Sequence, residues 1–485
     1  MGLTVTNTNT ISLLNIVNST RAKQSNVLTQ LSTGYKINRG ADNPSGLIAM
    51  KSLEAELTAV NSAIDNNQRS NAMLAVADSA MNEISSLMGE IETLVMGSAS
   101  DAGLSAGEKA ANQSQIDLAL SAIDRLVNTT TFNGKRLLDG SQAIATTNPS
   151  NYAAKIDGLR IYSRGTQTTD TSLTVKTVTA ASQAEASFAK FATTGATMSG
   201  AMSVSVTGSL GSKTIEIASG STRTQVMAAI NASKGETGVE AVSGASYGLS
   251  LRSTGYGSGE FVGATVITGG TISASTATDT PFANVARSNV GKDATVTVNG
   301  MVASTDGLDV AYNANGISLS FTMDKTAMNV VDTTTTITVS SSLGGAAFQL
   351  GTDASTRSTL GIDSLASFNL GNLGGNERLD ELKSGGRYDL NTDTGTALKV
   401  IKKALGEVAT SQGRVGAFQK FNVQTSINSL NAAKISLSDA KSVVADTDYA
   451  VAAAELNRQT VLLNSGISLL GLANQQASQI MSLLG

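Results

Sequence analysis

Apolar residues recur at alternating steps of three and four along both ends of the chain, and the middle follows a different rule. From residue 11 one seam reads Leu14, Val17, Leu28, Leu31 and Tyr35, with Arg21 and Gln24 filling the gap. Gly34 and Gly40 loosen its end, and Asn43-Pro44 has the form of an N-cap followed by Pro at the first helical position. The longest run comes next: Met50, Leu53, Leu57, Val60, Ile64, Asn67, Asn71, Leu74 and Met81, with Asp78 the one charged intruder. The phase then changes to Met81, Ile84, Met88, Ile91 and Val95. This spacing predicts one helix over about 44–97, roughly 80 Å long at 1.5 Å per residue. Such a helix exceeds ordinary globular lengths and points to a coiled-coil rod. A third helix is predicted from Gln113, Ile116, Leu120, Ile123 and Val127, before a turn at Asn133-Gly134.

The C-terminal part repeats the pattern. Leu398, Ile401, Leu405, Val408 and Val415 form one stripe. Val423, Leu430, Leu437, Val444 and Val451 lie seven apart, supported by Ile427. Asp446 and Asp448 interrupt the apolar flow at a joint. Tyr449, Leu456, Leu463, Leu470, Ala477 and Leu484 then continue at the same spacing, widened by Ile467, Ala473, Ile480 and Met481. The outermost helices, 11–35 and 449–484, bury too little surface to be stable as an isolated pair. They are expected to become ordered against other copies of the chain.

Between about 175 and 350 the code is strand-like. Alternating pairs occur at Val204/Val206, Ile215/Ile217, Val296/Val298, Ile317/Leu319/Phe321 and Ile337/Val339. Asn299-Gly300 and Asn315-Gly316 are hairpin signals, and a short helix is predicted near Val226, Met227 and Ile230. The fold class is therefore α+β: a long antiparallel helical rod built from both termini, with inserted β-rich modules. The boundaries read as 1–42 with 450–485 for a terminal helical domain, 43–174 with 350–449 for the rod, and 175–349 for the insertion.

Composition narrows the function classes. The 485 residues carry 34 basic and 38 acidic side chains, net −4, with no basic stretch to suit nucleic acid or a polybasic membrane contact. No Cys, His or Trp is present, which excludes disulfides, thiolate chemistry, catalytic triads and His-ligated zinc. No apolar run reaches the roughly 18 residues of a membrane span. The start, Met1-Gly2-Leu3-Thr4, lacks a signal peptide's basic and apolar regions, so the chain is expected either in the cytoplasm or exported without a cleaved signal. Asp389, Asn391 and Asp393 resemble the start of a calcium loop, but Gly395 falls one place late and Val400 stands where a bidentate Glu is needed. Gly255-Tyr256-Gly257-Ser258-Gly259 lacks the Lys and Ser/Thr of a phosphate loop and opens no helix. Asp446 and Asp448 read as a cap or joint rather than a catalytic pair. No catalytic, cofactor or metal site is expected.

The residues bearing these stripes resemble bacterial flagellin. Leu31-Ser32-Thr33-Gly34-Tyr35-Lys36-Ile37-Asn38 followed by Ala41-Asp42-Asn43-Pro44-Ser45-Gly46 is similar to one family signature, and Thr131-Phe132-Asn133-Gly134-Lys135-Arg136-Leu137-Leu138 to another. Val415-Gly416-Ala417-Phe418-Gln419, Asp446-Thr447-Asp448-Tyr449-Ala450 and Ala473-Asn474-Gln475 with Leu483-Leu484 resemble C-terminal elements. Residues 213–266 are similar to the inserted IN module of some long flagellins, and Phe348-Gln349-Leu350-Gly351 to the element returning to the rod.

The resemblance implies a structural subunit of a hollow helical filament used for swimming. It implies export through the flagellar channel, an extracellular location, and an export chaperone, a filament cap and hook-junction proteins as partners. The filament core would use Leu14, Val17, Leu28, Leu31, Leu456, Leu463, Ile467, Leu470, Ala477 and Leu484. The rod seam would use Leu53, Leu57, Val60, Ile64, Leu74, Met81, Ile84 and Met88 with Val423, Ile427, Leu430, Leu437 and Val444. Related chains present an Arg and a Glu to the innate immune receptor for flagellin. Glu90 and Thr93 stand there instead, beside a retained Leu94, so receptor binding is expected to be poor. Two alternatives share these features: a hook–filament junction protein, and a surface adhesin on a helical anchor.

Overall fold

The computed structural model describes residues 8–98, 104–147, 152, 155–164, 169–191, 196–244, 248–269, 272–273, 282, 284–325, 334–373 and 377–484, with backbone alone at 9, 190, 273, 286–288 and 476–484. Eight α-helices occur among them: α1 (Thr8–Thr33), α2 (Pro44–Ser98), α3 (Ala106–Thr129), α4 (Arg223–Ala232), α5 (Lys234–Thr237), α6 (Thr394–Ala417), α7 (Thr425–Ala445) and α8 (Tyr449–Leu484). The chain divides into two units, 1–66 with 426–485 and 67–425.

In the first unit α1 and α8 run antiparallel. Gln24 Nε2 donates to Thr460 Oγ1 at 3.1 Å, and the joint is closed by Lys36 N to Ala445 O at 2.7 Å and Thr447 N to Gly34 O at 2.9 Å. Val17, Thr20 and Val27 are the buried row of α1. On α8 the buried positions are Ala452, Gln459 and Gly466, seven apart. A Cβ at Gly466 would stand 3.0 Å from Val17 Cγ2, so the missing side chain lets the helices approach there. Along α2, Leu53 and Leu57 are half-buried and Val60 and Ile64 buried; along α7, Ile427, Leu430, Leu437 and Val444 are half-buried. Lys441 reaches Glu54 at 4.0 Å.

In the second unit Leu74, Met81, Ile84, Met88, Ile91 and Val95 of α2 and Ile116, Leu120 and Ile123 of α3 are closed to solvent. α3 starts with a capping box, Ser105 and Glu108. Its Gln113 is buried and satisfied by Leu382 O at 2.8 Å and Leu390 N at 2.9 Å. The polar interruptions of the α2 stripe find partners too. Asn67 Nδ2 donates to Leu350 O at 2.9 Å, Gln419 Nε2 to Asn71 Oδ1 at 2.7 Å, and Gln412 Nε2 to Asp78 Oδ1 at 3.0 Å. Between α6 and α7 lies a π-helical turn, Phe418–Gln424. It buries Phe418 and Val423, five residues apart, and Phe418 packs on Phe348 with ring centroids 5.1 Å apart.

The β region holds two cores, one inserted in the other. The first lies between a five-stranded sheet (Met301–Val302, Thr295–Val298, Thr171–Thr179, Thr334–Gly344, Ile144–Thr146) and a four-stranded sheet (Ser304–Asp306, Asp309–Ala314, Ile317–Met323, Ile156–Arg164). The second is formed by the chain between them. A three-stranded sheet (Val239–Ser243, Gly248–Ser253, Glu185–Lys190) and a four-stranded sheet (Val285–Val290, Phe261–Thr268, Met202–Gly208, Ser212–Ile217) share a core with α4. α4 has its own capping box, Thr222 and Gln225, where the sequence predicted a short helix. Every alternating pair named from the sequence is buried, and Asn299 and Asn315 take the positive φ of tight hairpins, 51° and 54°.

Strands therefore begin well before 175, the boundary read from alternation. The strand Ile156–Arg164 hides its period because Arg160 and Arg164 point inward. Arg160 pairs with Glu407 at 2.9 Å, and Arg164 donates to Ser340 O and Leu343 O. Buried charge of this kind is tolerated only when so paired. The inserted core likewise reaches beyond 213–266, drawing on residues from Ala184 to Val285.

Candidate self-assembly surface

α1 and α8 are apolar on more than their shared seam. With Val17 and Gly466 packed together, Ile11, Leu14, Ile16 and Leu28 of α1 remain exposed. On α8 so do Tyr449, Val451, Val461, Leu462, Ile467, Leu469 and Leu472. A helix that is apolar around most of its circumference is normally buried, and α8 within this unit is not. Each such side chain is already about half covered, so covering the rest would contribute on the order of 1 kcal/mol. An open groove of about 700 Å³ runs along the pair, lined by Ile11, Ile16 and Leu462 and edged by Lys23 and Arg458. Arg458 and Gln459 donate to Glu455, which holds its carboxylate at about 2.

The sequence-named residues fall into two sets here. Val17 is buried and Leu31, Leu456, Leu463 and Leu470 are half-buried along the seam, whereas Leu14, Leu28 and Ile467 face outward. The side chains of Ala477, Ile480, Met481 and Leu484 lie outside the described residues. Gln24, read from the sequence as filling a gap in the seam, does lie on it; sequence reasoning missed Thr20, Gln459 and Gly466, because polar and small seam residues leave no hydrophobic signal. It also missed the second apolar set, Ile11, Ile16, Val461, Leu462, Leu469 and Leu472, which a count of apolar residues off the heptad would have found.

The chemical motifs are absorbed by local structure. Asp389 accepts from Asn391 N at 3.1 Å and Thr392 Oγ1 at 2.6 Å, and Asp393 caps α6 through Thr396 N at 3.0 Å. Asp448 caps α8 through Ala450 N and Val451 N, while Asp446 accepts from Ser442. Ser258 of the glycine-rich loop donates to Asp293. Among the described residues no cluster of acidic groups suits a metal ion, and no helix is long and apolar enough to cross a membrane. On α2, Glu90 and Thr93 are exposed, Thr93 Oγ1 donating back to Gly89 O, and Leu94 is half-buried.

Comparison with known proteins agrees with this arrangement of helical ends. The family model for the bacterial flagellin N-terminal helical region matches residues 5–143, and that for the C-terminal helical region matches 398–484. Flagellin A of Helicobacter pylori is 25% identical over 520 aligned residues, 94% of each chain. Flagellin of Clostridium tyrobutyricum is 34% identical over 126 residues, 26% of this chain and 33% of that one. Flagellin A of Helicobacter mustelae is 34% identical over 134 residues, 28% and 27%. The last two alignments span a third or less of the relatives' own length. A solved FliC from Burkholderia pseudomallei covers 74% of this chain and 99% of its own, at 14% identity and a TM-score of 0.24, too loose to carry an argument. With both helical-region models matched, in order, at the two ends whose helices form the first unit, this chain belongs to the bacterial flagellin family.

Proposed function

We propose that the chain is the structural subunit of a flagellar filament, exported to the cell exterior and polymerised by its own terminal helices. The observation that supports this most directly is the apolar surface left on α1 and α8 after their mutual seam is closed. Copies of one chain that bury such a surface through a heterologous, non-closing contact generate a helical polymer. Export chaperone, cap and hook-junction proteins follow as partners from the family. The match of both helical-region models to flagellin does not favour the junction-protein or adhesin alternatives.

Negative-stain electron microscopy of the full chain after seeding tests the reading. The native chain is expected to give long uniform filaments. Leu472→Asp places a charge on an exposed position, so it leaves the subunit's helix content unchanged by circular dichroism. Burying that unpaired charge in a polymer contact costs several kcal/mol, and filaments should be lost. Normal filaments from the variant would remove α8's outer face from the assembly surface; short rings from the native chain would move the assignment to the junction protein.

A further inference from the structure

Residues 361–371 form a strap that binds three elements of the second unit together. Gly361 N donates to Tyr162 O at 2.8 Å and Leu365 N to Leu138 O at 3.0 Å. Ser367 N and Oγ donate to the Asp124 carboxylate on α3, both at 2.9 Å, and Gly371 N to Glu407 Oε2 on α6 at 3.0 Å. Asp363 is the third residue of the strap. Part of the residue keeps contact with solvent, but its Oδ2 is closed off and has no hydrogen-bond partner.

The charged and titratable groups around it come from two elements. From the strand Ile156–Arg164 come Arg160 and Tyr162; from α6 come Arg414 and Glu407. Arg160 Nη2 donates to Asn369 O and to Glu407 Oε2, both at 2.9 Å, while Arg160 Nη1 is buried and unbonded. The Arg414 guanidinium lies 3.9 Å over the Tyr162 ring, and its Nε is also buried and unbonded. The Tyr162 hydroxyl is paired with Ser320 at 2.9 Å. Two cations thus approach Asp363 without bonding to it, and Glu407 adds an opposing charge.

We propose that Asp363 makes the strap proton-sensitive: neutral, its closed-off and unpartnered oxygen is tolerated between the strand and α6; ionised, that oxygen is stranded in the interior and the strap opens. Burial raises the carboxyl to about 7, against the partial offset of Arg160 and Arg414. An opened strap returns it to the ordinary value of 3.8. The folded value is the higher one, so the stabilisation is complete below the ordinary carboxylate range and is lost as pH rises through about 7.

Hydrogen exchange of the full chain, corrected for intrinsic rates, reads this at the amides of 361–371. Opening should increase on the order of a hundredfold from pH 5 to 8 and level off above 7. Asp363→Asn should remove most of that rise. A flat profile in the native chain overturns the proposal, as does an Asp363→Asn profile as steep as the native one. Glu407, also raised by burial, is separated by Glu407→Gln: retention of the rise supports Asp363, and its loss assigns the effect to Glu407 instead.

Discussion

Polar residues in an apolar stripe carry as much structural information here as the apolar ones. Asn67, Asn71 and Asp78 each find a partner, and those partners lie at Leu350, Gln419 and Gln412, far off in sequence. A misregistered helix would leave each of them unsatisfied, so they select one alignment in the way a polar core position does in a coiled coil. Asn71→Leu should therefore cost about 1–3 kcal/mol by leaving the Gln419 amide without its partner. Asn71→Leu combined with Gln419→Leu should recover most of this, since replacing both partners by apolar groups is nearly neutral. Urea unfolding of the single and double variants checks it; a double variant no more stable than the single would show that the pair is not coupled. Sequence reading registers such residues only as gaps, because a hydrogen bond to a remote partner has no local signature.

Among the elements, the helices were the most legible and the π turn the least. The 3-4 spacing marks α2, α3 and α6 because each buries one apolar stripe, and a stripe is a local property of the chain; on α8 the apolar stripe is only half-buried. The step from Val415 to Val423 looks like two unrelated stripes. The π turn explains it: Phe418 and Val423 are buried five apart, where an α-helix would offer three or four. Deleting the exposed Asn422 should therefore be tolerated, because it returns the two residues to a spacing of four in a regular helix. Deleting the exposed Thr410 should not, because it turns Ser411, Val415 and Phe418 by about 100° relative to Val400, Ala404 and Val408. Thermal unfolding followed by circular dichroism separates the two deletions. Equal losses from both would mean that the π turn is not simply an inserted residue. The strand Ile156–Arg164 was obscured for the opposite reason: its inward arginines find their partners more than 150 positions away, Arg160 in the Glu407 carboxylate and Arg164 in backbone carbonyls.

The arrangement of the β modules was legible only in outline. Alternation located most strands, and the Asn-Gly pairs located two hairpins, but nothing local reveals that one core interrupts the other. The interruption is visible at its neck. Thr171–Thr179 and Thr295–Val298 are paired antiparallel strands, and beyond them Ser182 and Lys292 exchange both backbone hydrogen bonds, at 2.9 and 3.1 Å. Gly291 sits there against backbone, where a Cβ would lie 2.5 Å from Ser182 O and 2.4 Å from Gly257 O. The inserted module thus occupies the position of a hairpin loop. Since Ser182 and Lys292 already form the closing pair of a two-residue turn, replacing residues 183–291 by Asn-Gly should leave a plain hairpin. The buried residues of the remaining core, from Ile144 to Val339, all lie outside 183–291; the excised segment takes with it Tyr256, which packs against that core half-buried. Lys399 loses its bond to Thr254 and returns to solvent, which relieves the burial that lowers its proton affinity. The shortened chain should unfold cooperatively and still form filaments, as calorimetry and electron microscopy would report. A molten or insoluble product would mean that the outer module is needed to fold the inner one.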